Sequence, residues 1–245
     1  MPTYPPVTLA GVATMAEVIT ENTIRVLDHG FVALDGALAT DLAVVNGARV
    51  SFNQESQEMT ERDEGLIRFL MREKHGSPFE HGYFRFLVKA PLFVVREHHR
   101  HRAGHSYNEW SGRYSKMEPE FYVPENVRTQ VGKPGAYSFE PVDDETREAT
   151  RREIEDNARR AFQAYERLLE RGVAKEVARA VLPLSTYTKY YWSCNPRSLM
   201  HFCSLRNHEA AQFEIRQYAA AAEKFLERLM PITHAAFVAN DRVAP

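Results

Sequence analysis

One short segment concentrates the side chains best suited to bind a charged ligand. Residues 96–115 read REHHRHRAGHSYNEWSGRYS and contain four of the ten histidines in the chain, together with four arginines. Arginine stays charged and binds phosphate or carboxylate through paired hydrogen bonds, so this density indicates an anion-binding site first. A solvated basic face neutralised by nearby acids is the simpler interpretation. It is weakened because donors and acceptors suited to a polar ligand follow closely: Ser106, Asn108, Glu109 and Ser111.

Two other ligand classes fit parts of the same segment. His101 and His105 are four residues apart, as metal ligands on a helix can be, but Gly104 interrupts a helix there and neither HExxH nor CxxC is present. Tyr107 and Trp110 are able to stack on nucleic-acid bases, although the net charge of −2 gives no general attraction to nucleic acid. A metal-dependent nucleotide hydrolase and a nucleic-acid-binding module therefore stand as alternatives. Because GxGxxG and Walker motifs are missing, side chains and helix ends would have to hold any nucleotide-like cofactor.

The composition is that of an ordinary globular protein. The 245 residues are 44% hydrophobic and 26% charged, which excludes disordered, collagen-like and disulfide-scaffold classes. The two cysteines, Cys194 and Cys203, are too few for a disulfide framework, which agrees with a reducing cytoplasm. Both are expected to be small buried hydrophobic residues. No apolar run approaches the ~20 residues of a membrane span, and the N-terminus lacks the basic start of a signal peptide. We expect a cytoplasmic protein without membrane association.

The hydrophobic pattern predicts one mixed α+β domain over residues 23–240, after a loose N-terminal extension at 1–22. Alternation predicts strands at 23–34, interrupted at His29-Gly30, and at 82–89 and 185–193. Helical periodicity and helix-end residues predict helices at 61–76, 91–102, 144–171, 175–183, 196–207 and 209–230. Residues 41–52 fit a helix or a strand, and the turn-rich residues 127–145 are predicted as a surface loop. The expected architecture is a central antiparallel-type sheet flanked by long helices.

Several segments, in this order, resemble those of the flavin-dependent thymidylate synthases. Arg100-His101-Arg102 followed by Ser111 is similar to the family signature, which is written RHR, seven residues, then Ser. The similarity extends over residues 23–230 and includes RVSF (49–52), HGSPFEH (75–81), VKAP (88–91), VAR (177–179), LP (182–183), NPRSLM (195–200) and LR (205–206). One departure is that eight residues, not seven, separate Arg102 from Ser111.

The resemblance implies the reductive methylation of dUMP to dTMP. In this family methylenetetrahydrofolate gives the carbon, FAD carries the hydride and NADPH reduces the flavin again. The protein would then orient the cofactor and the substrates and stabilise the charges that develop during the reaction. The resemblance also implies a homotetramer with active sites built between subunits, and small-molecule partners without nucleic acid.

The resemblance further assigns individual residues. The implied flavin contacts are Ser51, Ser77, Arg100, His101, Arg102, Glu109, Asn195, Arg197 and His201. The implied dUMP contacts are Glu97, Arg100, Glu109, Trp110, Ser111, Gly112, Arg113, Arg179 and Arg206, while His75 would border folate and flavin; no metal is implied. Arg206 is the catalytic candidate, because a fixed cation beside the uracil ring stabilises negative charge on the base and does not titrate away. Glu97 and His201 stand where relatives often have glutamine and asparagine.

The extra residue before Ser111 predicts a local bulge. One more residue within a helix would rotate its far end by about 100°. A turn at Ala103-Gly104 absorbs the residue without strain, because glycine permits positive φ. We predict such a turn, with His105 pushed outward and in contact with no ligand.

Overall fold

The computed structural model describes residues 22–133 and 136–245, so the extension predicted at 1–22 lies outside the described residues except for Asn22. The strands of these residues are β1 (Thr23–Val26), β2 (Gly30–Leu38), β3 (Tyr83–Pro91), β4 (His105–Glu109), β5 (Arg128–Lys133), β6 (Ala136–Pro141) and β7 (Tyr187–Cys194). Five of them form an antiparallel sheet in the order β1-β2-β3-β7-β4, and β5 pairs with β6 separately. The α-helices of this part of the chain are α1 (Asp41–Arg49), α2 (Glu61–Arg72), α3 (Leu92–His98), α4 (Asp144–Glu170), α5 (Lys175–Ala178), α6 (Pro196–Arg206), α7 (Phe213–Leu229) and α8 (Pro231–Ala239). The expected α+β fold with a central antiparallel sheet is confirmed.

The first two strands form a hairpin where the sequence pattern is interrupted. β1 and β2 pair from Thr23↔Ala33 to Val26↔Gly30, and residues 27–29 make the turn. The next segment, for which the sequence allowed a helix or a strand, forms α1. The Thr40 side chain starts this helix by accepting a hydrogen bond from the Ala43 N–H.

The core lies between the five-stranded sheet and helices α6 and α7. Phe86 of β3 packs on Trp192 of β7 and Phe225 of α7, with ring centroids 4.9 and 5.7 Å apart. All three rings are buried, and each such ring contributes on the order of 2 kcal/mol through lost contact with water. Cys194 and Cys203 are free thiols buried in the same core, which confirms their interpretation as small hydrophobic residues.

The prediction of an irregular loop at residues 127–145 is wrong, because most of this exposed segment is a β-hairpin. β5 and β6 pair from Arg128↔Pro141 to Lys133↔Ala136. Nearly every residue of the two strands is exposed. Without a buried face, nothing imposes the alternation that marks a strand in a sequence.

Three element boundaries near the candidate site also differ from the prediction. α3 ends at His98 instead of residue 102, and the Tyr107 hydroxyl donates to the His98 carbonyl at 3.1 Å. Residues 105–109 form the edge strand β4 because their backbone pairs with β7. The helix predicted at 209–230 begins at Phe213, and Pro231 starts a separate helix. In the described ranges, no helix is long and apolar enough to cross a membrane.

Candidate active site

The N-terminus of α6 gathers three residues of the predicted cofactor site. Asn195 caps the helix by accepting the Ser198 N–H at 2.8 Å, and Pro196 occupies the first helical turn. Both residue types favour a helix start, since asparagine satisfies a free amide and proline has none to satisfy. Arg197 and His201 are four residues apart and share one helix face. Asn195, Arg197 and His201 line a cleft of about 570 Å³, termed here the α6 cleft.

The α6 cleft carries donors that suit an anionic group. Arg197 donates from Nε to the Pro245 backbone oxygen at 2.6 Å and from Nη1 to Glu80 at 2.5 Å. Lys74, His201 and the Glu80 carboxylate line the same cleft. The positive end of the α6 dipole adds to these donors, so the site fits the negatively charged part of a cofactor. Lys74 and Pro245 belong to no sequence motif, so no local pattern predicts them as part of a site.

The other end of α6 holds Arg206, which joins Glu97 and His101 in what we term the arginine network. Arg206 donates from Nε to His101 Nε2 at 3.0 Å and from Nη1 to Glu97 Oε2 at 2.9 Å. Its Nη2 also reaches the Glu97 carbonyl at 3.4 Å. The Arg206 side chain remains 23% exposed, so the guanidinium is oriented by protein and still accessible. Three residues assigned from the resemblance are thus brought together.

The arginine network requires a neutral His101. Because the Arg206 Nε–H occupies the lone pair of His101 Nε2, the imidazole proton lies on Nδ1. Burial, followed by the positive charge of Arg206 and the neighbouring His105 and His201, lowers the pKa of His101 to about 4. At neutral pH the network therefore combines an ion pair with a neutral imidazole acceptor.

A second cleft, termed the β4 cleft, contains most of the predicted substrate residues. Its volume is about 220 Å³. The predicted residues that line it are Glu109, Trp110, Ser111, Gly112 and Arg179. Leu92, Met117, Leu182 and Thr188 complete the lining, and no sequence signal marked them as part of a site.

Local contacts order the polar wall of the β4 cleft. Thr188 Oγ1 donates to Glu109 Oε1 at 2.8 Å, so the carboxylate is held against β7. A Cβ at position 112 would lie 2.8 Å from Met117 Sδ and 3.4 Å from Arg179 Cδ, so a larger residue there would displace the flexible Met117 side chain. The glycine therefore lets Arg179 approach the backbone of the loop that follows β4.

Strand β4 connects the two clefts. His105 begins the strand and Glu109 ends it, so their Cα atoms are about 14 Å apart. The predicted turn at Ala103-Gly104 precedes β4, and Gly104 has a φ of 70°. The Ser198 hydroxyl donates to the Ala103 carbonyl at 3.0 Å, and a side chain at position 104 would collide with this hydroxyl. The turn is therefore fixed on the first turn of α6.

The prediction that His105 turns outward is wrong. His105 Nδ1 accepts a hydrogen bond from Trp192 Nε1 at 2.9 Å, and the two rings lie nearly coplanar, with 12° between their planes. The cause is the register of β4 on β7, in which His105 pairs with Cys194. Paired residues point to the same face of a sheet, and this is the face that buries Cys194 and Trp192.

Six other predicted residues line neither cleft. Ser51, Ser77, His75, Arg100, Arg102 and Arg113 are all exposed. Arg113 forms an exposed ion pair with Glu176 at 3.1 Å, and His75 lies edge-on to Phe69 at 5.6 Å. Their assignment to the site stays a prediction.

The described residues contain no group of three or more His, Cys, Asp or Glu side chains placed to hold a metal ion. In the histidine pair at positions 101 and 105, one ring nitrogen of each is already engaged, by Arg206 and by Trp192. Residues 22–133 and 136–245 therefore contain no such set of metal ligands for a metal-dependent hydrolase.

The fold and the two clefts agree with the class of enzyme that the RHR segment suggested. The sequence model of the family described as "Thymidylate synthase complementing protein" matches residues 35–232. The chain belongs to this family, the flavin-dependent thymidylate synthases, and is a methyltransferase enzyme that uses a flavin. The resemblance drawn from the sequence is confirmed.

Individual relatives give the degree of similarity. The flavin-dependent thymidylate synthase of Streptomyces coelicolor is 49% identical over 228 residues, which cover 87% of this chain and 93% of the relative. That of Thermotoga neapolitana is 47% identical over 215 residues, covering 88% and 94%. A crystal structure of the UMP/dUMP methylase PolB from Streptomyces cacaoi, bound with 5-Br dUMP, superposes with a TM-score of 0.82 at 43% identity and covers 91% of this chain and 100% of that one. A second structure of PolB is bound with 5-Br UMP.

Proposed function

We propose that this chain methylates dUMP to dTMP reductively, with methylenetetrahydrofolate as the carbon donor, FAD as the flavin and NADPH as its reductant. The observation that carries the proposal is the arginine network, a permanent cation with a fixed orientation. The network adjoins the α6 cleft, since the rings of His101 and His201 lie 6.2 Å apart. The names of the relatives and the bound bromo-uridylates of PolB support the same chemistry.

We assign the nucleotide to the β4 cleft. Arg179 and the Ser111 hydroxyl provide donors for a phosphate, and the guanidinium is suited to bind two phosphate oxygens. Trp110 offers a flat apolar face to a base or a sugar. Glu109, oriented by Thr188, is placed to accept from a hydroxyl or N–H group of the nucleoside.

Arg206 acts on the uracil. Methylation at carbon requires an electron-rich base, and a cation beside the base stabilises the negative charge that makes it so. Glu97 and His101 hold the guanidinium in place before the substrate arrives, so no reorganisation is needed as charge develops. The guanidinium cannot lose its proton at neutral pH, so this stabilisation does not depend on pH.

We assign the flavin to the α6 cleft, where it would supply the hydride for the transferred carbon. Arg197, Lys74 and the N-terminus of α6 would bind its anionic part. Asn195 and His201 would orient it by hydrogen bonds from the same helix. The contacts of Arg197 with Glu80 and Pro245 hold its guanidinium in position at the edge of the cleft.

We further propose a homotetramer whose active sites form between subunits. The proposal accounts for the exposed residues assigned from the resemblance, which line neither cleft of one chain and would complete the site of a neighbour: Ser51, Ser77, His75, Arg100, Arg102 and Arg113. The remaining partners are small molecules without nucleic acid, and a cytoplasmic location agrees with two free, buried thiols.

One assay tests the proposed reaction. The purified chain is examined for a flavin absorbance spectrum, and the released cofactor is identified by chromatography as FAD or another flavin. The protein is then incubated with dUMP, methylenetetrahydrofolate and NADPH, and dTMP is quantified, with Arg206→Ala as the inactive control. FAD release and dTMP formation that requires all three co-substrates are expected. A colourless protein, or turnover without folate, contradicts the proposal.

Parallel incubations separate the other candidates. UMP replaces dUMP in one arm, because PolB is named for both nucleotides, and a higher kcat/KM with UMP would reassign the substrate. Hydrolysis of dUMP on addition of zinc or magnesium, without NADPH, would favour the metal-dependent hydrolase. A mobility shift of DNA or RNA at physiological salt would favour the binding module.

A further inference from the structure

His105, the first residue of β4, lies beside the arginine network. The ring of His105 lies 5.8 Å from the ring of His101, at an angle of 63°. On its other side it lies edge to edge with the hydrogen-bonded Trp192 ring, with centroids 5.9 Å apart. His101 is thus held between His105, the edge of Phe202 at 5.0 Å and the Arg206 guanidinium.

The hydrogen bond from Trp192 determines the protonation state of His105. The indole nitrogen is only a donor, so His105 Nδ1 must accept and the ring proton must lie on Nε2. A second proton on Nδ1 would face the indole N–H and break this bond. Trp192 is 1% exposed, so its N–H would then be left buried without an acceptor.

The surroundings of His105 also oppose a positive charge. The titratable and charged groups that face it are His98 at the end of α3, His101 in the following segment, Tyr107 on β4, Cys194 on β7, and His201 on α6, with the Arg206–Glu97 ion pair behind His101. None of the groups that face His105 directly is a carboxylate. Burial first, and then His201, lowers the pKa of His105 to about 4, while a backbone hydrogen bond with Ser198 acts in the opposite direction.

We infer that His105 is a positioning residue, kept neutral by Trp192 so that His101 remains the acceptor for Arg206. A charged His105 would lie directly beside His101 and near the Arg206 guanidinium. It would favour rotation of the His101 ring away from His105 and Arg206, which breaks the hydrogen bond from Arg206. The role of His105 in the reaction rests on the proposed function of Arg206, whereas its tautomer and its effect on His101 do not.

The first test measures His105 directly in the wild-type holoprotein. Carbon- and nitrogen-labelled histidine resonances are followed from pH 8 to the lowest pH at which the protein stays folded, and the His105 signal is assigned by its loss in His105→Phe. We expect a proton on Nε2 and no titration above pH 5. A proton on Nδ1, or a midpoint above pH 5, overturns the inference, whether or not the protein makes dTMP.

The second test uses the pH dependence of kcat. In Trp192→Phe the hydrogen bond to His105 Nδ1 is lost, so the pKa of His105 should move closer to its ordinary value. The acid limb of the kcat profile should move up by about one pH unit, the shift that corresponds to one lost hydrogen bond to the neutral imidazole. The double variant Trp192→Phe/His105→Phe lacks the imidazole at position 105, so its acid limb should return to the wild-type position.

A matched control separates this effect from a loss of core packing. Phe225→Leu removes a buried ring that contacts Phe86 and does not touch His105, so it should lower stability without moving the acid limb. An acid limb that moves equally in Phe225→Leu, or one that His105→Phe does not restore in the Trp192→Phe background, refutes the inference. If Trp192→Phe does not fold, the wild-type histidine spectra decide. If wild-type protein makes no dTMP at any pH, the proposed function fails and the spectra still decide the state of His105.

Discussion

Replacement of Arg206 by alanine should abolish most of the turnover without removing the flavin. The guanidinium makes hydrogen bonds of 2.9 and 3.0 Å to Glu97 and His101, and the Arg206 side chain is 23% exposed. Loss of one oriented donor to a developing anion costs about 10²-fold or more in kcat, or roughly 3 kcal/mol. The substitution also leaves Glu97 without its counter-charge, which adds on the order of 1 kcal/mol of instability.

Arg206→Lys distinguishes charge from geometry. Lysine keeps the positive charge, but its single ammonium group cannot donate to Glu97 and His101 in the plane that the guanidinium uses. We expect the kcat of Arg206→Lys to be about tenfold higher than that of the alanine variant, because one charge-assisted hydrogen bond of about 1.4 kcal/mol is regained. Arg206→Gln, which keeps donors without charge, should resemble alanine.

The assay is single-turnover formation of dTMP with the flavin reduced beforehand, so that NADPH binding does not limit the rate. Flavin content is measured on the same samples by absorbance. Arg128→Ala is the matched control, because Arg128 forms a similarly buried ion pair with Glu214, at 3.1 Å, and lines neither cleft. Wild-type turnover in Arg206→Ala, or an equal loss of turnover in Arg128→Ala, would refute the assignment of Arg206.

Three further outcomes are expected. Arg197→Ala should yield folded protein with at least tenfold weaker flavin binding, measured by fluorescence titration, because one charge-assisted contact of about 1.5 kcal/mol or more is lost; full occupancy would remove Arg197 from the site. Gly104→Ala should lower the free energy of unfolding by about 1–3 kcal/mol, since the residue has a φ of 70° and abuts Ser198, and an unchanged urea midpoint would contradict this. The pKa of His101 and of His105 is lowered from 6.5 to about 4, so the unfolded chain binds more protons as the pH falls. Stability should therefore be full above pH 6.5 and fall toward pH 4 by at most about 1.4 kcal/mol per pH unit for each histidine, and urea unfolding at pH 7.0, 5.5 and 4.5 checks this sign.

Local signals were enough to predict several elements of the fold. The interruption at His29-Gly30 became the turn of the β1–β2 hairpin, and the apolar stripe of residues 144–171 became α4. Asn195 and Pro196 marked the start of α6 because capping depends on residues only three apart. Each of these features is encoded within a few neighbouring residues.

Features that depend on distant contacts could not be predicted in this way. Arg206 lies 105 residues from His101 and 109 from Glu97, so only the resemblance placed them in one site. The strand β4 and the inward direction of His105 follow from pairing with β7, which the polar sequence HSYNE does not reveal. The β5–β6 hairpin escaped prediction because it buries no face.

The two tryptophans of the sequence give the molecule a pair of optical reporters. Trp192 is sealed in the core against His105, and its indole should emit at short wavelength, sensitive to the charge of that imidazole. Trp110 lines the β4 cleft under the Lys189 ammonium, 5.5 Å from its ring, and should respond to a ligand entering from water. Because flavins absorb where indoles emit, each tryptophan would also transfer energy to a flavin in the α6 cleft. In Trp110→Phe, Trp192 would be the single remaining tryptophan, so its fluorescence would report on the core side of the site without any added label.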